Sequence, residues 1–267
     1  MNKPRNLSTD EIRFFRANGF LKVPWKLREA LVSKAKEQID LDIQNEVEPL
    51  TRDRQGDVMR LSALWQRGGA IQEVLGGIEV QSLVASLVGN NTSLALNIHN
   101  HLTLRKKDDG SAMSLEIHRD VSNWSGTICT ILFYLEETTF ENGCTQLIPG
   151  SHLFPSLTNG LKPEDDPWWI NSGLLEQRIS IPMSVGNMLA IDSMVLHCAG
   201  KNKTNNTRMT LTAGYQAINQ RLEHLDPNQV VIVGEYNYRG NDLRSRGLFK
   251  NSTQVVEDST VKTKKSP

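Results

Sequence analysis

From Ser93 onward the sequence is a succession of short runs with strand character, separated by residues typical of turns. The runs cover residues 93–104, 113–118, 127–135, 145–148, 177–181, 188–191 and 208–216. The turn signals between them are Asp-Asp-Gly at 108–110, Glu-Asn-Gly at 141–143, Pro-Gly-Ser at 149–151 and Gly-Asn at 186–187. Many short strands with such turns predict a β-sandwich or a barrel.

The first ninety residues show a different, largely helical pattern. Ser8 and Glu11 have the spacing of a capping box, and Asn18-Gly19 supplies a helix stop. Apolar residues recur at mostly helical spacing over 27–43, and residues 51–90 are again largely helical in pattern. We therefore predict a mainly β fold with flanking helices.

This change of pattern also suggests how the chain is organised. We predict one domain over residues 1–250, with a helix-rich region at 8–90, a β core at 91–217 and a C-terminal extension at 218–250. The polar residues 251–267 are predicted to form a disordered tail.

Composition argues against several kinds of partner. The chain has 30 Lys+Arg and 30 Asp+Glu, so its formal charge is zero. Such a balance gives no electrostatic footprint for nucleic acid or an anionic membrane, and the predicted partner is a small molecule. The three cysteines form no paired framework, and no signal peptide or transmembrane run is visible. We expect a reduced, cytoplasmic location, and the oligomeric state stays open.

The motif His118-Arg119-Asp120 ends one predicted strand. Residues two apart in an extended chain point to one face, so the imidazole and the carboxylate would converge. A second histidine from another strand would complete the facial triad that leaves adjacent iron positions open. The motif alone is weak evidence, because a polar strand end at the surface gives the same pattern.

A third ligand and an anion-binding residue follow further along the chain. His197 ends the stretch that begins at Gly186-Asn187, although a buried structural histidine would fit there too. Arg208, eleven residues later, opens a run in which Thr210 and Thr212 share its face. A guanidinium binds a carboxylate through two parallel charge-assisted bonds. Arg208 alone could be a surface residue, but chance seldom supplies this triad together with an arginine at this offset.

With these residues the chain resembles the phytanoyl-CoA dioxygenase family of Fe(II)- and 2-oxoglutarate-dependent oxygenases. The resemblance, which reaches from the segment Asp10-Glu11 to about Tyr215, is carried by three motifs. They are His118-Arg119-Asp120, the stretch from Glu141-Asn142-Gly143 to Pro149-Gly150-Ser151-His152, and Gly186-Asn187 through His197 to Arg208. His152 is interpreted as a loop-stabilising residue.

The resemblance implies a double-stranded β-helix, a cupin-like jelly roll, with iron bound at one end. It implies Fe(II), 2-oxoglutarate and O2 as cofactor and cosubstrates, with ascorbate as an optional reductant. His118, Asp120 and His197 would be the metal ligands, and Arg208 would bind the distal carboxylate of 2-oxoglutarate. Further candidates for contact with the cosubstrate or the iron pocket are Asn97, Asn100, Thr103, Thr127, Thr210 and Trp124.

The implied reaction is oxidation of a C–H bond, with release of succinate and CO2. Halogenating relatives replace the carboxylate ligand with Gly or Ala, so Asp120 favours hydroxylation, with desaturation or demethylation as further outcomes. We expect a small polar metabolite or a natural-product intermediate as substrate. Arg60 or Arg67 could meet an anionic group, and the region of Trp168-Trp169 could serve as a lid.

Three alternatives remain open at this point. One is a non-catalytic β-barrel that binds a small molecule, since fold does not determine function. Another is a metal pair at His99 and His101, which lacks a following carboxylate because the sequence continues into Arg105-Lys106-Lys107. The last is a zinc hydrolase, which would need a general base, and no HExxH motif is present.

Overall fold

The computed structural model describes residues 4–95, 100–105, 116–121, 128–154, 162–218 and 230–234. The predicted strand 113–118 is therefore described only from residue 116, and the predicted tail 251–267 lies outside the described residues. None of the helices described is both long and apolar enough to cross a membrane.

Five α-helices are present in the described residues. They are α1 (Thr9–Asn18), α2 (Glu29–Gln44), α3 (Gly69–Gly76), α4 (Ile78–Leu87) and α5 (Pro167–Ser172). Single turns of 3-10 helix cover Leu64–Arg67, Ser151–Leu153 and Leu174–Gln177. The predicted capping box of α1 is present, and Gly19 ends that helix in the left-handed conformation at φ 75°.

Twelve strands are also present in the described residues. They are β1 (Phe20–Lys26), β2 (Leu50–Arg52), β3 (Val58–Ser62), β4 (Thr92–Leu94), β5 (Asn100–Arg105), β6 (Ile128–Tyr134), β7 (Thr145–Leu147), β8 (Ile179–Ile181), β9 (Asn187–Asp192), β10 (His197–Ala199), β11 (Arg208–Ala217) and β12 (Val230–Val233).

The strands form two antiparallel sheets. Within the described ranges, nine strands make the larger sheet, with the order β1-β9-β6-β11-β5-β3-β2; β4 joins it beside β11, and β12 pairs with β4. The smaller sheet has the order β10-β7-β8. Neighbours distant in sequence, such as β5 beside β11 and β9 beside β6, are typical of the predicted jelly roll.

The helix-rich region predicted for residues 8–90 needs correction. The segment after Thr51 folds into the hairpin of β2 and β3, and β3 pairs with β5 of the core. The short run that begins at Phe20 continues as a strand through Pro24. A proline is tolerated there because β1 is an edge strand, and its register shifts between Lys22 and Lys26.

The two faces of the larger sheet have different roles. On the outer face, Leu61, Leu102, Ile131 and Leu211 pack in one apolar core with residues of α1 to α4. On the inner face, Leu132, Tyr134, Leu189 and Ile191 pack with Leu147 and Ile181 of the smaller sheet. This second core closes the β1-β9-β6 half of the interior and leaves the inner face of β11, β5 and β3 to build a site.

Replacing Glu11 by glutamine should lower the free energy of unfolding by up to about 1 kcal/mol at pH 7, because the amide can keep the capping-box position but loses the negative charge that pairs with Arg5 and favours the N-terminus of α1. Hydrogen bonds from Arg5, and then from Ser8, lower the pKa of Glu11 from 4.5 to about 2. Because the pKa of Glu11 is lower in the folded state, its ionised carboxylate stabilises the fold fully at pH values above the unfolded-state pKa of 4.5. This stabilisation is lost as the pH falls from 4.5 through about 2. Urea titrations should therefore show the two proteins converging in acid, and a gap independent of pH would contradict this role.

Candidate metal centre

His118 and Asp120, two residues apart, meet a third side chain, that of the distant His197, inside the jelly roll. Their ligand atoms all lie within 4.8 Å of one another. The Nε2 atoms of His118 and His197 are 4.0 and 3.4 Å from Oδ1 of Asp120. The Asp120 carboxylate is fully buried and His197 nearly so, whereas the side chain of His118 is 44% exposed. The cluster thus has a closed inner side and an accessible outer side.

The backbone fixes the position of both imidazoles. His118 and His197 exchange two backbone hydrogen bonds of 2.9 Å as an isolated antiparallel bridge, which places their rings 4.6 Å apart. The Nδ1 atom of His118 lies 3.0 Å from the carbonyl of Glu116, and that of His197 lies 3.0 Å from the carbonyl of Val195. A carbonyl only accepts, so Nδ1 carries the proton in each ring and Nε2 presents its lone pair to the cluster.

Asp120 is positioned by one residue of β6 and one residue that follows β9. The Thr130 hydroxyl of β6 donates to Oδ2 of Asp120 at 2.7 Å. The Ser193 hydroxyl lies 2.8 Å from that of Thr130, and it must be the donor because the single proton of Thr130 is already used. The backbone N–H of Asp120 donates to the Ser193 carbonyl at 2.9 Å. These contacts direct Oδ1 toward the two imidazoles.

Replacing Thr130 by valine should therefore weaken binding of Fe(II) by about 10- to 100-fold, because the carboxylate ligand loses its orienting donor. Anaerobic titration of the apoprotein with Fe(II) measures the effect. Thr130→Ser keeps the hydroxyl and is expected to bind iron as the wild type does. Unchanged affinity in the valine variant would remove Thr130 from this role.

Arg119, between two of the clustered residues, points away from them as the two-residue period requires. Its guanidinium donates to the carbonyls of Ser151 and Phe154 at 2.5 and 3.2 Å, and it lies 5.1 Å from the ring centre of Trp169. Burial lowers the pKa of Arg119 to about 10, so the group remains charged at neutral pH. Arg119 thus ties the His-x-Asp segment to the Pro-Gly-Ser-His loop, a role that the sequence analysis missed.

His152 of the same loop is 3.0 Å, through Nε2, from the carbonyl of Arg16 in α1. The Ser151 hydroxyl accepts from the backbone N–H of Leu196 at 2.7 Å. The loop therefore holds the residue that precedes His197. These contacts agree with the interpretation of His152 as a loop-stabilising residue.

Arg208 lies at the start of β11 on the inner face of the larger sheet and is 5% exposed. Its guanidinium donates to the carbonyl of Gly143, in the Glu-Asn-Gly turn. Thr210, two residues on, shares this face and is equally buried, and its hydroxyl has no hydrogen-bond partner among the described residues. Tyr134 of β6 pairs with Thr210 across the two strands. Burial raises the pKa of Tyr134 to about 12, so its hydroxyl stays neutral. A buried cation and an unsatisfied hydroxyl on one face suit a carboxylate ligand.

The structure does not bring every predicted residue to this face. Asn100 pairs with Ala213, which places it on the outer side of the sheet. Its side chain accepts from the backbone N–H of Trp65 at 3.0 Å and donates to Gln66 at 3.3 Å. Asn100 therefore supports the 3-10 turn at Leu64–Arg67, and we leave it out of the cosubstrate pocket. Thr103 pairs with Thr210 and does share the inner face.

Other predicted residues lie outside the described part of the chain. These are Asn97, His99, Trp124 and Thr127. His101, the other half of the alternative His-x-His pair, lies on β5 opposite Thr212.

The donor set fits iron. Two neutral imidazole nitrogens and one carboxylate oxygen, grouped on one side of a site, form the 2-His-1-carboxylate arrangement that non-haem Fe(II) oxygenases use. His118, Asp120 and His197 would hold the metal, and the exposed side of His118 leaves room for further ligands. The pair of Arg208 and Thr210 fits the far carboxylate of a dicarboxylate cosubstrate.

Comparison with known sequences agrees with this geometry. The family model for phytanoyl-CoA dioxygenase (PhyH) matches residues 15–210. A probable phytanoyl-CoA dioxygenase of Caenorhabditis elegans is 26% identical over 51% of this chain and 47% of its own length. The multifunctional dioxygenase prhA of Penicillium brasilianum is 28% identical over 43% and 39%. The chain thus matches less than half of the length of both. The peroxisomal phytanoyl-CoA dioxygenase of Bos taurus is 21% identical over 96% and 84%.

Solved structures share the fold. EctD from S. alaskensis with bound Fe superposes with a TM-score of 0.70 at 16% identity, covering 84% of this chain and 81% of that chain. The epimerase SnoN from nogalamycin biosynthesis, in complex with Fe3+ and alpha ketoglutarate, gives 0.66 at 20% identity over 78% and 83%. These neighbours confirm the predicted jelly roll.

The described residues combine a jelly-roll fold with two histidines and one aspartate that could hold a metal ion. The match of the family model to residues 15–210 shows that the chain belongs to the phytanoyl-CoA dioxygenase family.

Proposed function

We propose that the protein is an Fe(II)- and 2-oxoglutarate-dependent dioxygenase that hydroxylates a C–H bond of a small polar metabolite or natural-product intermediate. His118, Asp120 and His197 are the metal ligands in this proposal. The observation that carries it is the convergence of their three ligand atoms within 4.8 Å, in a chain of this family. A cytoplasmic location stays part of the proposal.

Arg208 binds the distal carboxylate of 2-oxoglutarate, and Thr210 donates to the same group. Two features support this assignment, the burial of both side chains on one face and the unsatisfied hydroxyl of Thr210. The contact with Gly143 orients the guanidinium before the cosubstrate arrives. A preoriented fork loses less conformational entropy when it binds a planar carboxylate.

When bound, iron and 2-oxoglutarate would supply the oxidising power that turns R–H, O2 and 2-oxoglutarate into R–OH, succinate and CO2. The chain itself orients and shields the reactants. Both histidines keep their protons on Nδ1, Thr130 and Ser193 hold the carboxylate, and the apolar core around Leu132 and Leu189 excludes water from the inner side.

Asp120 bears on the outcome of the reaction. A carboxylate in this position occupies a site that a halide would otherwise take, which favours hydroxylation over halogenation. Desaturation and demethylation use the same ligand set and are alternative outcomes. The products distinguish them, because hydroxylation adds one oxygen atom to the substrate and desaturation removes two hydrogens.

Release of succinate from 2-oxoglutarate tests this function. Iron-loaded protein should form succinate only when 2-oxoglutarate and O2 are both present, and small polar molecules that are substrates should stimulate the rate. Mass spectrometry of the stimulating compound identifies the product. Binding of iron without any succinate formation in the presence of O2 would favour the non-catalytic binding module.

A further inference from the structure

Arg60 of β3 lies on the same inner face as the proposed cosubstrate pocket. It pairs with Thr103 of β5, which pairs with Thr210 of β11, and Thr210 pairs with Tyr134 of β6. Cross-strand partners share a face and lie about 5 Å apart, so Arg60 is two strands from Thr210. The guanidinium therefore belongs to the wall of the interior and not to the outer surface.

The charge of Arg60 has no counterpart in the described structure. None of the acidic side chains described there forms an ion pair with it, and its Nε–H is buried from solvent without a hydrogen-bond acceptor. Burial lowers the pKa of Arg60, and no nearby carboxylate offsets that effect. A half-buried cation with an unsatisfied donor costs free energy unless a ligand completes it.

Arg67, the other arginine considered from the sequence, differs in this respect. It pairs with Asp42 at 2.8 Å and donates to the carbonyls of Ser62, Val47 and Pro49. These contacts stabilise the turn after β3, and they engage the Arg67 guanidinium with groups of the protein itself.

The wall around Arg60 is polar along its length. Ser62 pairs with His101, and His101 pairs with Thr212, which forms a second polar row beside the row of Arg60, Thr103 and Thr210. The residues between them on each strand, such as Leu61 and Leu102, point into the apolar core on the outer face. Along each strand, polar side chains on the inner face therefore alternate with apolar side chains on the outer face, which is the pattern of a strand that borders a polar ligand on one side.

We propose that Arg60 is a substrate-binding residue, and that the substrate carries an anionic group, a carboxylate or a phosphate, that pairs with it. The inference rests on the proposed function, since it assigns the substrate chemistry of that site. Ser62, His101 and Thr103 line the polar wall beside it and provide hydrogen-bonding groups for the rest of a small polar molecule.

Anion binding at Arg60 is measured by NMR of protein labelled with 15N-arginine and loaded with Zn(II) in place of iron and with 2-oxoglutarate. The Nε–H signal of Arg60 is identified from its loss in Arg60→Gln. Inorganic phosphate should shift this signal saturably, whereas sodium chloride at equal ionic strength should not. Arg52 on the neighbouring β2 is the internal control, because Glu46 pairs with it at 3.0 Å and its signal should not respond.

Two results would overturn the inference. One is a phosphate response no larger than that to chloride. The other is a shift of the Arg60 signal as large as the phosphate response when 2-oxoglutarate is first added to protein loaded with Zn(II) only, which would assign Arg60 to the cosubstrate. Failure of the proposed function would appear in a different measurement, as the absence of a complex with iron and 2-oxoglutarate. That failure would leave the phosphate response of Arg60 unaffected.

A second test measures succinate release in the presence of matched pairs of carboxylic acids and their primary amides. The acids should stimulate succinate release, and Arg60→Gln should raise their KM by about tenfold or more with little change in kcat. Equal use of the acids and the amides by the wild type would contradict an anionic substrate. Arg52→Gln removes the same charge from the neighbouring strand and should change neither constant.

Discussion

Replacing Asp120 by alanine is expected to abolish tight binding of Fe(II) and to reduce 2-oxoglutarate turnover on the order of 1000-fold or more. The carboxylate is the one anionic ligand of the proposed set, and its Oδ1 faces both Nε2 atoms at 3.4 and 4.0 Å. Two neutral imidazoles alone hold a divalent cation weakly. Equilibrium dialysis with Fe(II) under argon and a succinate assay measure the two effects.

Glu116→Gln is the matched control for this variant. Glu116 lies two residues before His118, but its side chain is exposed and pairs with Lys162. The hydrogen bond that orients His118 uses the backbone carbonyl of Glu116, which the substitution leaves in place. Iron binding should be unchanged in this control. Wild-type affinity in Asp120→Ala would place the metal elsewhere.

Replacing Arg208 by glutamine is expected to weaken binding of 2-oxoglutarate by roughly 100-fold while iron affinity stays within about twofold. The buried guanidinium supplies charge-assisted hydrogen bonds, and a neutral amide does not replace them. Arg208→Lys keeps the charge without the planar fork, so its affinity should lie between the two. Titration of the iron-loaded protein with 2-oxoglutarate measures all three.

The choice of cosubstrate separates this role from general damage to the fold. 2-Oxobutyrate has the same 2-oxo acid group but lacks the distal carboxylate. The wild type should bind 2-oxoglutarate far more tightly than 2-oxobutyrate, and Arg208→Gln should lose that preference. If the variant still discriminated between the two, the distal carboxylate would be bound by another residue.

Where the signal is local, the sequence predicts which side chains share a face. His118 and Asp120 are two residues apart, so strand parity alone brings their side chains to one face. Arg208 and Thr210 share a face by the same rule. Among the described residues after 91, strands β5 to β9 and β11 lie within one residue of predicted runs, because the strands of an antiparallel jelly roll leave alternation and turn residues in the sequence.

Parity also explains the placement of Asn100. The candidates Asn97, Asn100 and Thr103 lie on one predicted run, yet a strand cannot present both even and odd positions to one side. Pairing of β5 with β11 puts His101 and Thr103 on the inner face and Asn100 on the outer one. That choice depends on the register between strands far apart in the sequence, which a single sequence does not reveal.

For the same reason, the sequence could not predict the residues that support the proposed metal ligands. Thr130 and Ser193 contact Asp120 only because β6 lies beside β9 and the turn after β9 approaches the His-x-Asp segment. The β2-β3 hairpin was missed because apolar spacing in short segments fits a helix and a strand equally well. Tertiary pairing with β5 selects the strand.

The most direct test of the central claim is anaerobic titration of apoprotein with Fe(II) and 2-oxoglutarate, followed by visible absorption. The wild type should show a weak charge-transfer band that requires both components, is lost in Asp120→Ala and is impaired in Arg208→Gln. Metal binding without a band in the wild type would contradict the oxygenase function.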